Sequence, residues 1–189
     1  MDTPLIVGLG GTLNRESSTE SALRFALDSA QRRGARTEMF GGSDLASLPM
    51  YDPRHADDRA AQRFIDSLRA AQGVIIASPG YHGSVSGLVK NALDYVEELR
   101  DDANPYLSGR AVGCITTAYG WQAAVTTLQT LRSIVHALRG WPTPLGAAIN
   151  SAESRISYGE PLDGAADFQL RTVGREVFTL STGMMRAEV

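Results

Sequence analysis

Five short apolar runs, separated by longer segments in which apolar residues recur with a helical period, constrain this chain more than any other feature. The runs are PLIVGLG (4–10), ARTEMF (35–40), GVIIAS (73–78), RAVGCITTA (110–118) and TPLGAAINS (143–151). Strands alternating with helices along a chain are the pattern of a parallel sheet covered on both faces. PLIVGLG is continuously apolar, as a central strand buried on both sides is. Over 17–34, Ala22, Leu23, Phe25, Ala26, Leu27 and Ala30 share one helical face, and Gly34 is placed to end the helix. Further helical patterns cover 57–72, 86–99, 122–139 and 162–184, while GGSDLASLPMYDP (41–53) reads as irregular chain. The expectation is one α/β domain over 1–189, with right-handed βα units that suit a flavodoxin-like sheet and a Rossmann half equally.

Charge and composition remove several function classes. Eighteen basic and 21 acidic residues give a net charge of −3 with the signs interspersed, and no basic block of the kind that tracks a phosphate backbone is present. Nucleic acid is therefore not an expected partner. No apolar stretch approaches the length of a membrane span and no signal-peptide pattern opens the chain, so a cytoplasmic protein is expected. Cys114, the single cysteine, lies in an apolar run and reads as a buried, inert thiol. The three histidines lack metal-ligand spacing, so no metal is expected.

In an open doubly wound sheet, ligands bind beyond the carboxyl ends of the strands, so the loops there carry the functional reading. After the first run comes GLGGTLNRESST (8–19), in which glycines leave the backbone room and Thr12, Ser17, Ser18 and Thr19 precede a helix. Unpaired N–H groups and the positive end of a helix dipole suit a phosphate there, with Asn14 or Arg15 as further donors. Plain N-capping by Ser17 or Ser18, with Glu20 in the first turn, is the competing reading. A dinucleotide fingerprint starting at Gly8 needs glycine where Leu13 stands, and a P-loop needs a lysine this segment lacks.

The second loop is SPGYHGS (78–84). Pro79, Gly80 and Gly83 are expected to impose a path that neither helix nor strand needs, leaving backbone groups open at the sheet edge. Tyr81 can pack against a flat ring, and backbone donors, with Ser84, can stabilise negative charge developing on it. His82 reads as a solvent-facing loop residue, with a catalytic acid as the alternative. The third loop, TTAYGWQ (116–122), sets Tyr119 and Trp121 around Gly120, either as ring contacts or as interface or core residues. One phosphate cradle, one polar ring-edge loop and one aromatic loop describe flavin mononucleotide better than a triphosphate or a dinucleotide.

At these residues the chain resembles the NADPH-dependent FMN reductase family. SPGYHGSVSGLVKNALDYV is similar to that family's Ser/Thr-Pro, Tyr, small residues, then Gly-x-x-Lys-Asn-x-x-Asp, and GGTLNRESSTESAL and LASLPMYDP are also family-like. The resemblance implies a flavodoxin-like doubly wound five-stranded parallel sheet, order 2-1-3-4-5, with helices on both faces. It places Thr12, Asn14, Ser17, Ser18 and Thr19 around the FMN phosphate and Pro79, Gly80, Tyr81, His82, Gly83 and Ser84 along the ring and ribityl chain. It also implies FMN with NADPH or NADH, hydride transfer with no protein acid–base catalyst, and dimers or tetramers in which the helix bearing Lys90, Asn91 and Asp94 makes packing and subunit contacts. The partner would be a small-molecule electron acceptor or free flavin, with a flavin-dependent monooxygenase as a further partner. A quinone, azo or chromate reductase holding FMN tightly is the rival enzyme reading, and a flavodoxin-like electron carrier the rival outside it.

Overall fold

The computed structural model describes residues 3–14, 16–54, 58–160 and 162–187. Its central strands are β1 (Leu5–Gly10), β2 (Arg36–Phe40), β3 (Gly73–Tyr81) and β5 (Ala111–Ala118), all parallel. Along them side chains alternate between the two faces, as strand geometry requires. Val7, Val74, Ile76, Val112 and Cys114 enter one core with helices α3 (Arg59–Ala70), α4 (Gly87–Asp94) and α5 (Trp121–Ala137). Ile6, Ile75, Ala77 and Ile115 enter the other with α1 (Ser18–Gln31) and α6 (Gly164–Ala187). Both faces of the sheet are thus covered, which is the class expected from the alternation.

The strand order departs slightly from 2-1-3-4-5. The observed path is β2-β1-β3-β5-β6, with β4 (Ser84–Val85) paired to β3 and β7 (Ala147–Asn150) paired to β5, seven strands among the described residues. The expected fifth strand over 143–151 forms only as β7; β6 (Trp141–Pro142) precedes that run, and the two meet opposite ends of β5. Pro142 and Pro144 have no N–H to give a ladder. The backbone between the pieces is satisfied by other groups: Glu176 accepts from Leu145 N at 3.0 Å and Arg132 donates to Thr143 O at 2.9 Å.

Residues 41–53 hold a five-residue helix, α2 (Gly42–Ala46), where irregular chain was expected. Its start is fixed by Asp44, which accepts from Gly41 N at 2.9 Å, and by Glu20 of α1, which accepts from Gly42 N at 3.1 Å. The helix expected over 86–99 is α4 followed by a 3₁₀ turn, Tyr95–Leu99. No helix of the described residues is long and apolar enough to cross a membrane.

Buried Cys114 has its thiol pushed up to about 12, because burial disfavours the thiolate more than Arg132 favours it. Native protein at pH 8 is therefore expected to leave this thiol unmodified by a thiol reagent such as Ellman's, with one equivalent reacting only after denaturation. Reaction in the native state on the same timescale would contradict the burial.

Candidate active site

The β1 loop is shaped by its own short side chains. Thr12 Oγ1 accepts from Asn14 N and Asn14 Oδ1 from Glu16 N, both at 3.1 Å, so each side chain stands in for the next backbone turn. Ser17 then caps α1, its hydroxyl oxygen accepting from Glu20 N at 3.1 Å. The N–H groups of Ser18 and Thr19, next in the first turn, are left to a ligand or water among the described residues. Capping and anion binding are therefore compatible here: the Ser17 hydroxyl accepts at one lone pair and keeps its proton to donate. Thr19 differs. It is 2% exposed, and its hydroxyl is hydrogen-bonded to that of Thr117 on β5. It positions the first turn of α1 against the sheet. Arg15 lies outside the described residues.

The second loop is tighter than its composition suggested. Pro79, Gly80 and Tyr81 continue β3, correcting the expectation of a path outside strand geometry, and Pro79 is in register with Thr117. Beyond Ala77 the β1 ladder has ended, so proline's missing N–H removes no bond on that side. His82 and Gly83, at φ 52° and 84°, form a two-residue turn joining Tyr81 to Ser84. Positive φ at both centres is the twist that a tight hairpin needs. His82 and Ser84 are exposed. Beneath the hairpin, buried Ser78 donates to Pro79 O at 2.9 Å and accepts from Ser86 N at 3.0 Å, tying the base of the turn to the start of α4.

These two loops meet. An open cleft of about 300 Å³ is walled by Thr12, Leu13 and Asn14 on one side and by Pro79, Tyr81 and Leu88 on the other. Gly11, Ser86 and Gly87 complete the lining, which is mainly apolar. No ionisable side chain other than the Tyr81 phenol lines it among the described residues. Leu13 and Leu88, which sequence reasoning did not single out, supply aliphatic walls.

The third loop stands apart from that cleft. Tyr119 is 86% exposed and Trp121 is 49% exposed, and neither they nor Gly120 line it. Gly120 N donates to Asn150 Oδ1 at 2.8 Å, and Trp121 Nε1 donates to Glu153 at 2.9 Å. Asn150 in turn donates to Glu153 at 2.7 Å, so the buried amide at the end of β7 organises both turns. Ser17 and Ser18 face another cleft, alongside α1, rather than the one lined by Thr12 and Asn14.

Asn91 has a role beyond helix packing. It is 6% exposed, accepts from Tyr51 N at 2.8 Å and donates to Pro49 O at 2.9 Å, so α4 clamps the chain carrying Leu48, Pro49 and Met50. Tyr95 adds a hydrogen bond to Pro49 O at 3.0 Å. Burial, with the neighbouring Glu98 carboxylate second, pushes the Tyr51 phenol well above its ordinary range, and its hydroxyl donates to Glu98 Oε1 at 2.7 Å. Met50 itself is exposed and does not line the cleft. Lys90 and Asp94 pair with each other on the exposed side of α4.

Residues 4–154 match the family model described as NADPH-dependent FMN reductase. The chain belongs to that family. A member of the NADPH-dependent FMN reductase family is an NAD(P)H-dependent flavin oxidoreductase with FMN as its cofactor. The chain is 27% identical over 173 residues to the FMN-dependent NADPH-azoreductase of Staphylococcus aureus (strain USA300), covering 85% of each chain. It is 32% identical over 109 residues to the FMN-dependent NADPH-azoreductase of Staphylococcus haemolyticus, a match that spans 57% of this chain and about half, 54%, of that relative. In fold it is similar to the apo form of the NADH:FMN oxidoreductase EMOB, with TM-score 0.71 and 19% identity over 96% of this chain and 90% of the other.

The donor set suits FMN on chemical grounds. Open N–H groups and a hydroxyl at the start of a 14-residue helix match one phosphate monoester, and a mainly apolar cleft beside a tyrosine matches a flat ring.

Proposed function

We propose that this reductase holds FMN across the rim between the β1 loop and the β3–β4 hairpin and passes electrons from NAD(P)H to free flavin or another small acceptor. The observation that carries the residue assignment is the 300 Å³ cleft, whose walls join the Thr12–Asn14 turn to Pro79, Tyr81 and Leu88. In this reading Thr12, Asn14, Ser17 and the N–H groups of Ser18 and Thr19 hold the phosphate. Tyr81, Leu13 and Leu88 fix the plane of the ring and exclude water from its edge. FMN, when bound, supplies the two-electron redox chemistry, accepting hydride from the nicotinamide and giving electrons to the acceptor.

The chain's part is to bind, orient and keep the ring accessible. Tyr81, half exposed at the hairpin, leaves the mouth of the cleft open to a second flat molecule. This reading assigns no protein acid–base pair: His82 faces solvent, and no carboxylate lines the cleft among the described residues. The apolar lining equally favours the reading in which FMN stays bound and a quinone or azo compound is the acceptor. Stopped-flow turnover with excess free FMN as sole acceptor, compared with a quinone, separates the two. Our reading also includes a cytoplasmic homodimer or homotetramer and a flavin-dependent monooxygenase as recipient of reduced flavin, for which co-sedimentation is the check.

Ser17→Ala is the direct test of the phosphate assignment. It removes one donor to the phosphate, so FMN affinity should fall roughly tenfold, a charge-assisted hydrogen bond being worth about 1.5–3 kcal/mol. Thr19→Val is the contrast, because its hydroxyl is turned to Thr117: stability should fall while FMN affinity holds. Fluorescence titration of FMN with both variants decides, and unchanged affinity in Ser17→Ala would place the phosphate elsewhere.

A further inference from the structure

The cleft alongside α1, about 440 Å³ in volume, is not used by the flavin reading beyond Ser17 and the Ser18 N–H at one end. Ser18, Ser21 and Arg24 of α1 form one wall, and Arg155, Tyr158 and Glu160, from the segment after β7, the other. Several of these groups are uncommitted. Among the described residues, the hydroxyls of Ser18 and Ser21 make no hydrogen bond and Arg155 makes no ion pair. Arg24, by contrast, is held by Glu20 at 2.8 Å.

Tyr158 is fixed in place yet half exposed. Its ring packs against Phe25 at 5.4 Å between centroids, the Arg24 guanidinium stands 5.9 Å from its centre, and its hydroxyl donates to Asp28 at 2.8 Å. A half-exposed tyrosine anchored by its hydroxyl presents ring surface to a planar group.

The signs of charge narrow the ligand further. Arg24 and Arg155 are set against Glu16, Glu20 and Glu160, so a simple inorganic anion would meet two carboxylates and one cation once the Arg24–Glu20 pair is set aside. A nucleotide matches both signs: its phosphate accepts from guanidinium and hydroxyl, its ribose hydroxyls and amino group donate to carboxylates, and its base offers a flat face. The two clefts draw on neighbouring parts of the sequence, Thr12 and Asn14 lining one and Ser17 and Ser18 the other.

We infer that the α1 cleft binds the adenosine-phosphate end of the pyridine nucleotide, with Arg155 on the phosphate and Tyr158 under the base, while the nicotinamide end reaches the ring cleft. This rests on the NAD(P)H-oxidising reading above. The test uses the full chain saturated with FMN, Arg155→Ala, and 5′-AMP as the probe. In the unaltered protein 5′-AMP should compete with NADPH. In Arg155→Ala the KM for NADPH and the inhibition constant of 5′-AMP should both rise roughly tenfold, as expected for one charge-assisted contact. The kcat should stay within about twofold and FMN affinity should hold; Arg155→Lys should recover part of the loss. Unchanged KM and 5′-AMP inhibition in Arg155→Ala would overturn the inference, as would a loss of FMN affinity in place of the KM effect, which would give the cleft to the flavin phosphate. If the unaltered protein oxidises neither pyridine nucleotide with FMN present, the proposed function itself fails. Calorimetric titration of 5′-AMP into both proteins still decides whether the cleft takes a nucleotide: equal heats sink it.

Discussion

Gly42→Ala is expected to cost the protein at least tenfold in FMN affinity, although residue 42 lies outside both clefts. A Cβ built at Gly42 would stand 1.9 Å from Thr12 O and 3.0 Å from Thr12 N, both backbone atoms that cannot turn away. Either α2 or the β1 loop must therefore shift. Glu20 holds α2 from the α1 side through Gly42 N, so the loop bearing Thr12 and Asn14 takes much of the displacement. Overpacking of this kind costs about 1–3 kcal/mol of stability, and each phosphate hydrogen bond lost through the shift costs a further factor of about ten in binding. Fluorescence titration with FMN, beside a thermal melt, measures both. Full FMN affinity in this variant would mean that the Thr12 turn does not hold the flavin.

Arg110→Met is expected to lower stability by about 3 kcal/mol or more while leaving FMN affinity intact. Arg110 is 6% exposed and donates to four backbone carbonyls: Ala71 and Tyr106 at 3.0 Å, Arg69 at 3.1 Å and Ser108 at 3.3 Å. Two of those carbonyls belong to the C-terminal end of α3, where the helix dipole is negative and an arginine is favoured. Methionine fills comparable space but strands these acceptors away from water. For a chain of this size, about 3 kcal/mol corresponds to a fall of roughly 6–12 °C in Tm. Lysine should rescue only partly, since an ammonium cannot reproduce the fork that reaches both segments. Arg110 immediately precedes β5, at the end of the sheet away from the loops, and that distance is why binding should be spared. A melt unchanged by Arg110→Met would contradict its role as a buried cap.

What could be read from the sequence follows from the range of the interactions involved. The strands over Val7, Val74–Ile76 and Val112–Ile115 were legible because burial on both faces writes a continuous apolar run, and α1 because its buried face repeats with the helical period. The hydroxyl-rich start of α1 was legible because capping and anion binding draw on the same local residue types. Contacts across the chain were not. Glu20 reaching Gly42, Asn91 clamping Pro49 and Tyr51, and Asn150 joining the turns of Gly120 and Glu153 all depend on partners 22 to 42 residues away or, for Glu153, on the turn the fold makes there. Thr19 shows the cost of local reading most clearly. Its place in the first turn suggested a ligand donor, whereas Thr117, 98 residues on, takes its hydroxyl.

Residues 79–81 show the opposite failure. Proline and glycine are turn signals in isolation, yet here they end a nine-residue strand, because the neighbouring ladder has already stopped and a small residue is needed at Gly80, where a Cβ would stand 2.7 Å from Thr127 Oγ1. The three aromatic residues thought to gather around one ring also separate: Tyr81 lines the cleft, while Tyr119 and Trp121 do not.

The break between β6 and β7 bears on how the molecule behaves when concentrated. A sheet's outermost strand is normally its weak flank, offering a row of donors and acceptors on which a stranger's strand can stack. Here that flank is reduced to pieces of two and four residues, with Pro142 and Pro144 at the gap, so no long template is presented. Resistance to fibrillar self-association on this side is thereby written into the same prolines that spoil the fifth strand.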